Sequence, residues 1–372
     1  MKTELKTAII LGIIVVGSLA GLSAYFSSLE TQISQKNDIQ TQTTEKSGIP
    51  NIDKSHFKKA PELEGISGYI NTNSQELQEL IKGRVVLYDI WTYSCINCQR
   101  TLPYIIAWDE KYADKGLVII GIHSPEFEFE KNIDNVSLAV EKFGIDYPVV
   151  LDNDKKIWDA FENRYWPRKY IADDEGYIRY DHIGEGDYDE TEKIIQELLA
   201  ERATKLGLNV AVAQSLVDIE EFKHGSRTPE LYFGYDFAFG RNQLGSKEGF
   251  QPEKIVTYTI PETLERNFFY LDGTWKNLGD RMILTSDTGN IVLPYFAKNV
   301  NIVAAGQSEL EIFLDGNPIS ASSAGVDVTQ DSMVLTKEST LYNLVSMEEA
   351  GPHTIQISVK NSGFEIYTFT FG

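Results

Sequence analysis

The pattern of hydrophobic and polar positions divides the chain into several segments. Residues 7–26 form an almost unbroken apolar run without a charge. At about 1.5 Å per residue, this run is long enough to cross a hydrocarbon core of roughly 30 Å. Lys2 and Lys6 precede the run, so the positive-inside tendency predicts that the remainder of the chain is exported. We expect a single-pass membrane anchor over residues 1–27, with a cleaved signal peptide as the alternative.

The next segment, residues 28–60, is polar and predicts a flexible linker. Over residues 61–206, apolar β-branched runs such as RVVLYDIW and LVIIGIHS alternate with stretches of helical periodicity. Strands that alternate with helices in this way predict an α/β layer with a mixed sheet.

The pattern changes again after Leu206. Residues 207–226 form a connecting segment, and from residue 227 to 372 short strands follow one another between Gly, Asn and Asp residues. Such evenly spaced strands predict an all-β sandwich of the jelly-roll type. The predicted fold class is therefore an α/β domain followed by an all-β domain, with an N-terminal transmembrane helix.

Composition narrows the function classes. The formal net charge of −21 excludes nucleic acid as a partner, because phosphate contacts need clustered Lys and Arg. The same acidity disfavours a polybasic membrane-surface role. The sequence holds two cysteines, too few for a scaffold built on disulfides. Their spacing therefore carries the chemical information.

The two cysteines lie where a predicted strand ends and a predicted helix begins. Cys95 falls at the helix N-terminus and Cys98 lies one turn later on the same face, so a disulfide between them can form and break. The helix dipole and unpaired N–H groups favour the Cys95 thiolate. We predict that Cys95 is the nucleophile, that Cys98 resolves the mixed disulfide, and that Cys95–Cys98 is the redox-active disulfide.

Other uses of a C-x-x-C pair fit less well. A zinc site needs four ligands, and the sequence has no second cysteine pair and no His at ligand spacing. A c-type haem site needs His after the second cysteine, where Gln99 stands. A structural disulfide that closes so small a loop would constrain little of the unfolded chain. We therefore expect neither a metal nor another cofactor.

The segment around the cysteines resembles the active site of thioredoxin-like proteins. Asp89 matches the buried acid of that family, Trp91 the Trp before the first cysteine, and Pro103 the proline five residues past the second. The resemblance implies that Asp89 takes and returns the proton of the resolving thiol. Burial in an apolar strand raises the pKa of an acid, which suits this role. An ordinary polar residue at a strand end is the alternative.

The same family places a cis-proline opposite the cysteines, and Trp166–Pro167 resembles that element. It implies that the backbone of Trp166 is exposed for strand-like pairing with a substrate, whereas a trans proline at the start of a strand is the alternative. The resemblance assigns Trp91, Trp166, Pro167 and Glu185 to the substrate groove. For the loop that carries Glu185, a turn followed by a helix capped at Asp189 is the alternative.

The strand YPVVLD and the helix KKIWDAFEN are similar to insertions in TlpA/ResA-like extracytoplasmic thiol reductases and in peroxiredoxins. A peroxiredoxin-like thiol peroxidase remains an alternative. Thr92 has the spacing to Cys95 that peroxiredoxins use, but Tyr88 replaces the proline of their motif.

A set of stretches resembles the exported C-terminal portion of DipZ-type proteins, in which a thioredoxin-like domain precedes a β-sandwich similar to a carbohydrate-binding module. The stretches include WTYSCINC, NRYWPRKY, HIGEGDYDETE, LDGTW and YTFTFG. DipZ-type proteins carry a multi-span electron-transfer domain, whereas this chain has one predicted span. The resemblance therefore implies a separate CcdA-type membrane partner as the electron donor.

Two further sites are predicted with alternatives. If the β domain binds a glycan, exposed rings at Trp275, Tyr232 or Tyr235 would form the platform, but core packing of these rings is the favoured interpretation. Asn135 begins an N-x-S acceptor motif. The predicted function is a membrane-anchored extracytoplasmic protein thiol–disulfide oxidoreductase, with reduction of client disulfides as the expected direction. A cell-envelope binding module with a secondary redox role is the other alternative.

Overall fold

The computed structural model describes residues 53–208, 215–238 and 240–372. The predicted anchor and most of the predicted linker lie outside these residues. Within the described ranges, no helix is both long enough and apolar enough to cross a membrane.

The first domain is a mixed six-stranded sheet with helices on its faces. Its strands follow the order β1-β4-β3-β2-β5-β6; the pairs β2–β3 and β3–β4 are parallel, and the other pairs are antiparallel. The elements are β1 (Gly68–Ile70), α1 (Ser74–Ile81), β2 (Val85–Trp91), α2 (Ile96–Tyr112), β3 (Leu117–His123), α3 (Ile133–Phe143), β4 (Val149–Leu151), α4 (Lys156–Ala160), β5 (Arg168–Ala172), β6 (Ile178–Ile183) and α5 (Tyr188–Leu206).

The two central strands, β2 and β3, are buried at every position. Continuous burial is typical of parallel strands that are covered on both faces, and it explains why both read as unbroken apolar runs. One hydrophobic cluster lies on each side of the sheet. The helix α2 contains Pro103 near its middle, and its buried face includes Leu102, Ile105 and Trp108. The predicted α/β domain is confirmed.

The second domain is all-β apart from one short helix. Its main strand path runs β13-β12-β15-β11-β16-β10-β9-β8, with β14 on β12 and β7 on β16. The elements are β7 (Leu231–Tyr232), α6 (Tyr235–Ala238), β8 (Ile255–Tyr258), β9 (Tyr270–Asn277), β10 (Met282–Leu284), β11 (Gly289–Ala305), β12 (Ser308–Leu314), β13 (Asn317–Pro318), β14 (Met333–Thr336), β15 (Thr340–Val359) and β16 (Glu365–Phe371).

The two longest strands, β11 and β15, pair along most of their lengths, with register shifts between Ala297 and Asn299 and between Val300 and Asn301. Such irregularities bend a strand and allow a sheet to curve around its own core. That core is a large cluster of aliphatic and aromatic side chains that includes Trp275 and Phe369. The predicted all-β domain after the α/β domain is confirmed.

Candidate active site

The end of β2 and the start of α2 position the cysteine pair. Cys95 is the N-cap of α2, and its Sγ accepts a hydrogen bond from the backbone N–H of Cys98 at 3.3 Å. Cys95 is partly exposed, Cys98 is 1% exposed, and both are free thiols in this structure. Burial, followed by the contact with Cys95, raises the pKa of the Cys98 thiol well above its usual value. The pair therefore combines an accessible sulfur with a protonated, protected one.

Asp89 lies beneath the cysteines in the middle of the sheet. It is 1% exposed, and burial raises its pKa to about 6, against the opposing effect of the Lys169 charge. Among the described residues its Oδ1 has no hydrogen-bond partner. The charge of Asp89 also contributes to the raised pKa of Cys98. This environment matches the carboxyl that the sequence predicted.

Lys169 was not identified from the sequence as a site residue. It lies directly opposite Asp89 in the antiparallel pairing of β2 and β5 and is 0% exposed. Its Nζ donates a hydrogen bond to the Gly184 carbonyl at 3.0 Å. In the sequence, Lys169 is a charged residue just before the apolar residues of a short strand. A lysine at such a position ordinarily faces solvent.

The Trp166–Pro167 peptide bond is cis, as the family resemblance implied. The Trp166 indole Nε1 donates to the Ser124 carbonyl at 2.9 Å, and its ring lies 4.2 Å from the ring of Trp158. Trp166 is partly exposed beside the site, whereas Pro167 is buried.

Trp91 requires a correction. It was assigned to the substrate groove, but it is 0% exposed and its ring meets the His123 ring edge-on at 5.4 Å. The register of β2 explains this position, because every residue of that strand lies inside the sheet layer. Trp91 is therefore part of the core beneath the cysteines.

Glu185 lies near the site in a charged cluster. Its carboxylate is 3.4 Å from the Arg100 guanidinium and 3.3 Å from His224 Nε2, and the Arg100 guanidinium stacks on the Phe222 ring at 3.7 Å. Burial raises the pKa of Glu185, although Arg100 opposes that shift. Glu185 is nearly buried and paired within the chain, which its assignment to the groove did not anticipate.

The helix after this loop begins earlier than predicted. The helix α5 starts at Tyr188 with Asp187 as N-cap, so Asp189 lies in the first turn and is not the cap. Glu192, three residues after Asp189, is buried and accepts hydrogen bonds from Trp108, Lys111 and Tyr112. Its carboxylate therefore joins α5 to α2.

Two more buried groups hold the turn before Cys95. Ser94 Oγ donates to Glu130 Oε1 at 2.6 Å, and the backbone N–H of Tyr93 donates to His123 Nε2 at 3.3 Å. Burial lowers the pKa of His123 to about 3, so the ring is neutral and can accept that bond. No spacing in the sequence identifies Glu130 or His123, because both act on this turn through contacts between residues far apart in the chain.

The β domain packs against this same end of the first domain. The Tyr93 hydroxyl donates to the Ser339 carbonyl at 2.8 Å. Ile96, between the cysteines, packs against a cluster from both domains. The cluster contains Phe127, Tyr232, Val303, Ala305, Leu341 and Tyr367. One flank of the cysteine pair is therefore covered by the second domain.

Two of the three candidate glycan rings are buried, in agreement with the interpretation that they are core residues. Trp275 is 0% exposed and Tyr232 is 6% exposed, because the first belongs to the β-domain core and the second to the contact between domains. Tyr235 is partly exposed, and its hydroxyl donates to Glu253. The Asn135 amide donates to the Phe129 carbonyl at 3.0 Å. The described residues contain no cluster of His, Cys, Asp or Glu suited to a metal ion.

A C-x-x-C pair at the start of a helix, beside a cis-proline and above a buried acid in a mixed sheet, defines a thioredoxin-like domain. Comparison with known families agrees, since the Redoxin family model matches residues 58–199. A second model, described as a thioredoxin-like C-terminal domain, matches residues 228–372. The first domain, which matches the Redoxin model, is called the redoxin domain below, and the second is called the β domain.

Curated relatives sharpen the comparison. The chain is 33% identical over 365 residues to Protein DipZ of Mycobacterium tuberculosis, a match that covers 94% of this chain and 49% of that protein. It is 29% identical over 141 residues to the thiol-disulfide oxidoreductase YkuV of Bacillus subtilis, covering 38% of this chain and 94% of YkuV.

A third relative is the thiol-disulfide oxidoreductase ResA of Halalkalibacterium halodurans, 28% identical over 137 residues, which cover 37% of this chain and 70% of ResA. The predicted resemblance to DipZ-type and TlpA/ResA-like proteins is confirmed. The chain spans about half the length of the DipZ protein that it matches.

Proposed function

We propose that the chain is a membrane-anchored, extracytoplasmic protein thiol–disulfide oxidoreductase that reduces client disulfides. The observation that carries this proposal is the unequal pair at the start of α2. Cys95 is partly exposed and caps the helix, while Cys98 is buried next to it. The similarity to YkuV and ResA, both thiol-disulfide oxidoreductases, supports the same reaction.

The geometry supports the following sequence of steps. The Cys95 thiolate attacks one sulfur of a client disulfide, which forms a mixed disulfide and releases the second client sulfur as a thiolate. Asp89 then accepts the proton of Cys98. The Cys98 sulfur attacks Cys95, the Cys95–Cys98 disulfide forms, and the remaining client sulfur leaves as a thiolate. Two electrons pass to the client, and both of its thiolates take protons from solvent.

The organisation around this site is proposed as well. The apolar run at residues 7–26 would anchor the chain, residues 28–60 would link it to the redox domain, and residues 61–206 and 227–372 would be the two folded domains joined by residues 207–226. A CcdA-type membrane partner would return electrons to the Cys95–Cys98 disulfide. The β domain would form a jelly-roll sandwich. Of the three candidate rings for a glycan, Tyr235 alone keeps partial exposure.

A pair of cysteine variants tests the proposed reaction. The full chain in detergent micelles, with dithiothreitol as reductant, is expected to reduce insulin disulfides. Cys95→Ser should lower the rate to that of dithiothreitol alone. Cys98→Ser, mixed with insulin in the absence of dithiothreitol, should accumulate a mixed disulfide between Cys95 and insulin, visible by mass spectrometry. Each variant serves as the other's matched control, since both replace one sulfur by oxygen. Full insulin reduction by Cys95→Ser would contradict the proposal.

A further inference from the structure

A buried lysine beside the active-site acid is not used by the steps above. Lys169 is 0% exposed and pairs across the sheet with Asp89. Fully buried lysines are rare because the desolvation of an ammonium group costs several kcal/mol unless a partner compensates. In the described residues, Nζ donates a single hydrogen bond, to the Gly184 carbonyl at 3.0 Å. A single neutral acceptor leaves most of this cost uncompensated.

The charges around Lys169 identify the missing compensation. Asp89 on β2 is the leading favourable influence on its charged form, followed by Cys98 on α2 and by Glu185 and Asp187 in the loop before α5. The Tyr188 ring lies 5.8 Å from Nζ. Burial lowers the pKa of Lys169, and these acids oppose that shift. Asp89 and the resolving thiol are thus the two groups whose negative charge favours the ammonium most.

We propose that Lys169 is a positioning residue for the resolving step, because its buried positive charge keeps Asp89 ionised and ready to accept the Cys98 proton. This inference rests on the proposed function and names a further residue for the same reaction. Without a positive charge opposite it, a fully buried carboxyl would remain protonated at neutral pH and would have no lone pair available for the thiol proton.

The proton balance follows from the arrangement. Before resolution, Asp89 is a carboxylate and Lys169 an ammonium, so the buried pair is neutral overall. When Cys98 attacks the mixed disulfide, its proton moves to Asp89, the new S–S bond forms and the client thiolate departs. Lys169 keeps its proton throughout. Reduction of the Cys95–Cys98 disulfide reverses the transfer and returns the proton from Asp89 to Cys98.

A two-phase thiol assay separates this role from the role of the nucleophile. The reduced full chain in detergent reacts with the small aromatic disulfide DTNB, which releases one coloured thiolate when Cys95 attacks and a second when Cys98 resolves. In Lys169→Met, whose side chain keeps a similar length without the charge, we expect the first phase to be unchanged. The second phase should be about tenfold slower at pH 7, and its acid limb should shift upward by about 1–3 pH units.

Three comparisons make the test decisive. Lys169→Arg should restore the position of the acid limb because it restores the charge, whereas Lys193→Met, at an exposed position on α5, should match the wild type. In an Asp89→Asn background, Lys169→Met should produce no further shift. An unshifted acid limb in Lys169→Met, or equal slowing of both phases, would overturn the inference. Insulin reduction by the wild type, measured in parallel, tests the proposed function separately from Lys169.

Discussion

The two domains bury different kinds of polar side chain. In the described residues, each buried carboxylate, lysine and histidine lies in the redoxin domain: Asp89, His123, Glu130, Asp152, Lys169, Asp173 and Glu192. The β domain buries uncharged groups only: Thr228, Gln243, Ser246, Asn277, Asn301, Ser308, Ser332, Thr336, Thr368 and Thr370. Both domains therefore contain polar cores, but only one of them contains buried charge.

This difference separates packing from chemistry. A neutral polar group costs little once it is hydrogen-bonded, as Asn277 is through its Oδ1 to the Tyr258 hydroxyl at 2.8 Å. A buried charge remains expensive, and such groups concentrate where a protein needs shifted proton affinities. The contrast predicts that core mutations in the β domain lower stability and leave thiol chemistry alone. Mutations of buried charges in the redoxin domain should change thiol chemistry, and their effect on stability should depend on pH.

The largest expected effect comes from the β-domain core. Trp275→Ala removes a fully buried ring and the hydrogen bond from its Nε1 to the Asp272 carbonyl. Loss of a buried Trp costs about 3–5 kcal/mol, so we expect a clear drop in the urea midpoint followed by circular dichroism. The DTNB phases of the folded fraction should match the wild type, and Trp275→Phe should lose less stability. Slowed thiol phases under native conditions would break the comparison.

The sequence predicted the redoxin site well because its signals are local. Cys95, Cys98 and Asp89 lie within one strand–helix unit, and the spacing of the cysteines sets their places on the helix. Lys169 escaped prediction because its burial depends on β5 pairing with β2, a contact that no local pattern specifies. Trp91 was misplaced for the same reason, since proximity in sequence to Cys95 does not reveal which way a strand residue points.

In the β domain, the sequence predicted the class of structure and little of its detail. Short runs between Gly and Asn identify strands, but the strand order depends on pairings between residues far apart, such as Val300 with Phe371. Trp275 lies two residues after Gly273 in β9, and the surrounding residues do not alternate regularly enough to show which side of the sheet its side chain takes. The contact of this domain with Ile96 is likewise a tertiary feature.

Asp89→Asn sharpens the comparison from the other side. The loss of the proton acceptor should slow the second DTNB phase by roughly 100-fold at pH 7, with the first phase unchanged. The free energy of unfolding, by contrast, should increase. The folded-state pKa of Asp89 is raised to about 6, so the wild type pays for ionising it as the pH rises from about 4 to 6.

The stability arm of this prediction has a defined sign. Above pH 6, Asp89→Asn should be more stable than the wild type by on the order of 1–3 kcal/mol, and the two should converge near pH 4. Urea unfolding at pH 4.5 and pH 8 measures the difference. Equal midpoints at pH 8, together with an unchanged second DTNB phase, would show that this buried carboxyl is an ordinary core residue.

The smallest effect is expected at the contact between the two domains, where charge from both sides meets. The Tyr232 hydroxyl lies 2.9 Å from Glu126 Oε1 and 3.1 Å from Glu230 Oε2. One phenol hydrogen makes a linear bond to only one of the two carboxyl groups, so a proton on either acid would supply a second donor to the cluster. Burial, followed by the charges of Glu230 and Glu130, raises the pKa of Glu126 to about 8.

The raised pKa of Glu126 determines how the contact responds to pH. An acid whose pKa is higher in the folded state stabilises that state when protonated, and the benefit is lost as the pH rises from its unfolded value near 4.5 towards 8.

We expect the wild type to lose thermal stability between pH 5 and pH 8.5. Glu126→Gln keeps a neutral side chain of the same shape. Up to pH 8.5 it should lose less stability than the wild type, by on the order of 1 kcal/mol. Calorimetry of both proteins across this range, with the exposed Glu128→Gln as the matched control, measures the slopes. Parallel slopes would mean that ionisation of Glu126 costs no stability. The difference between a domain with buried charges and a domain without them would then not extend to the contact between the two.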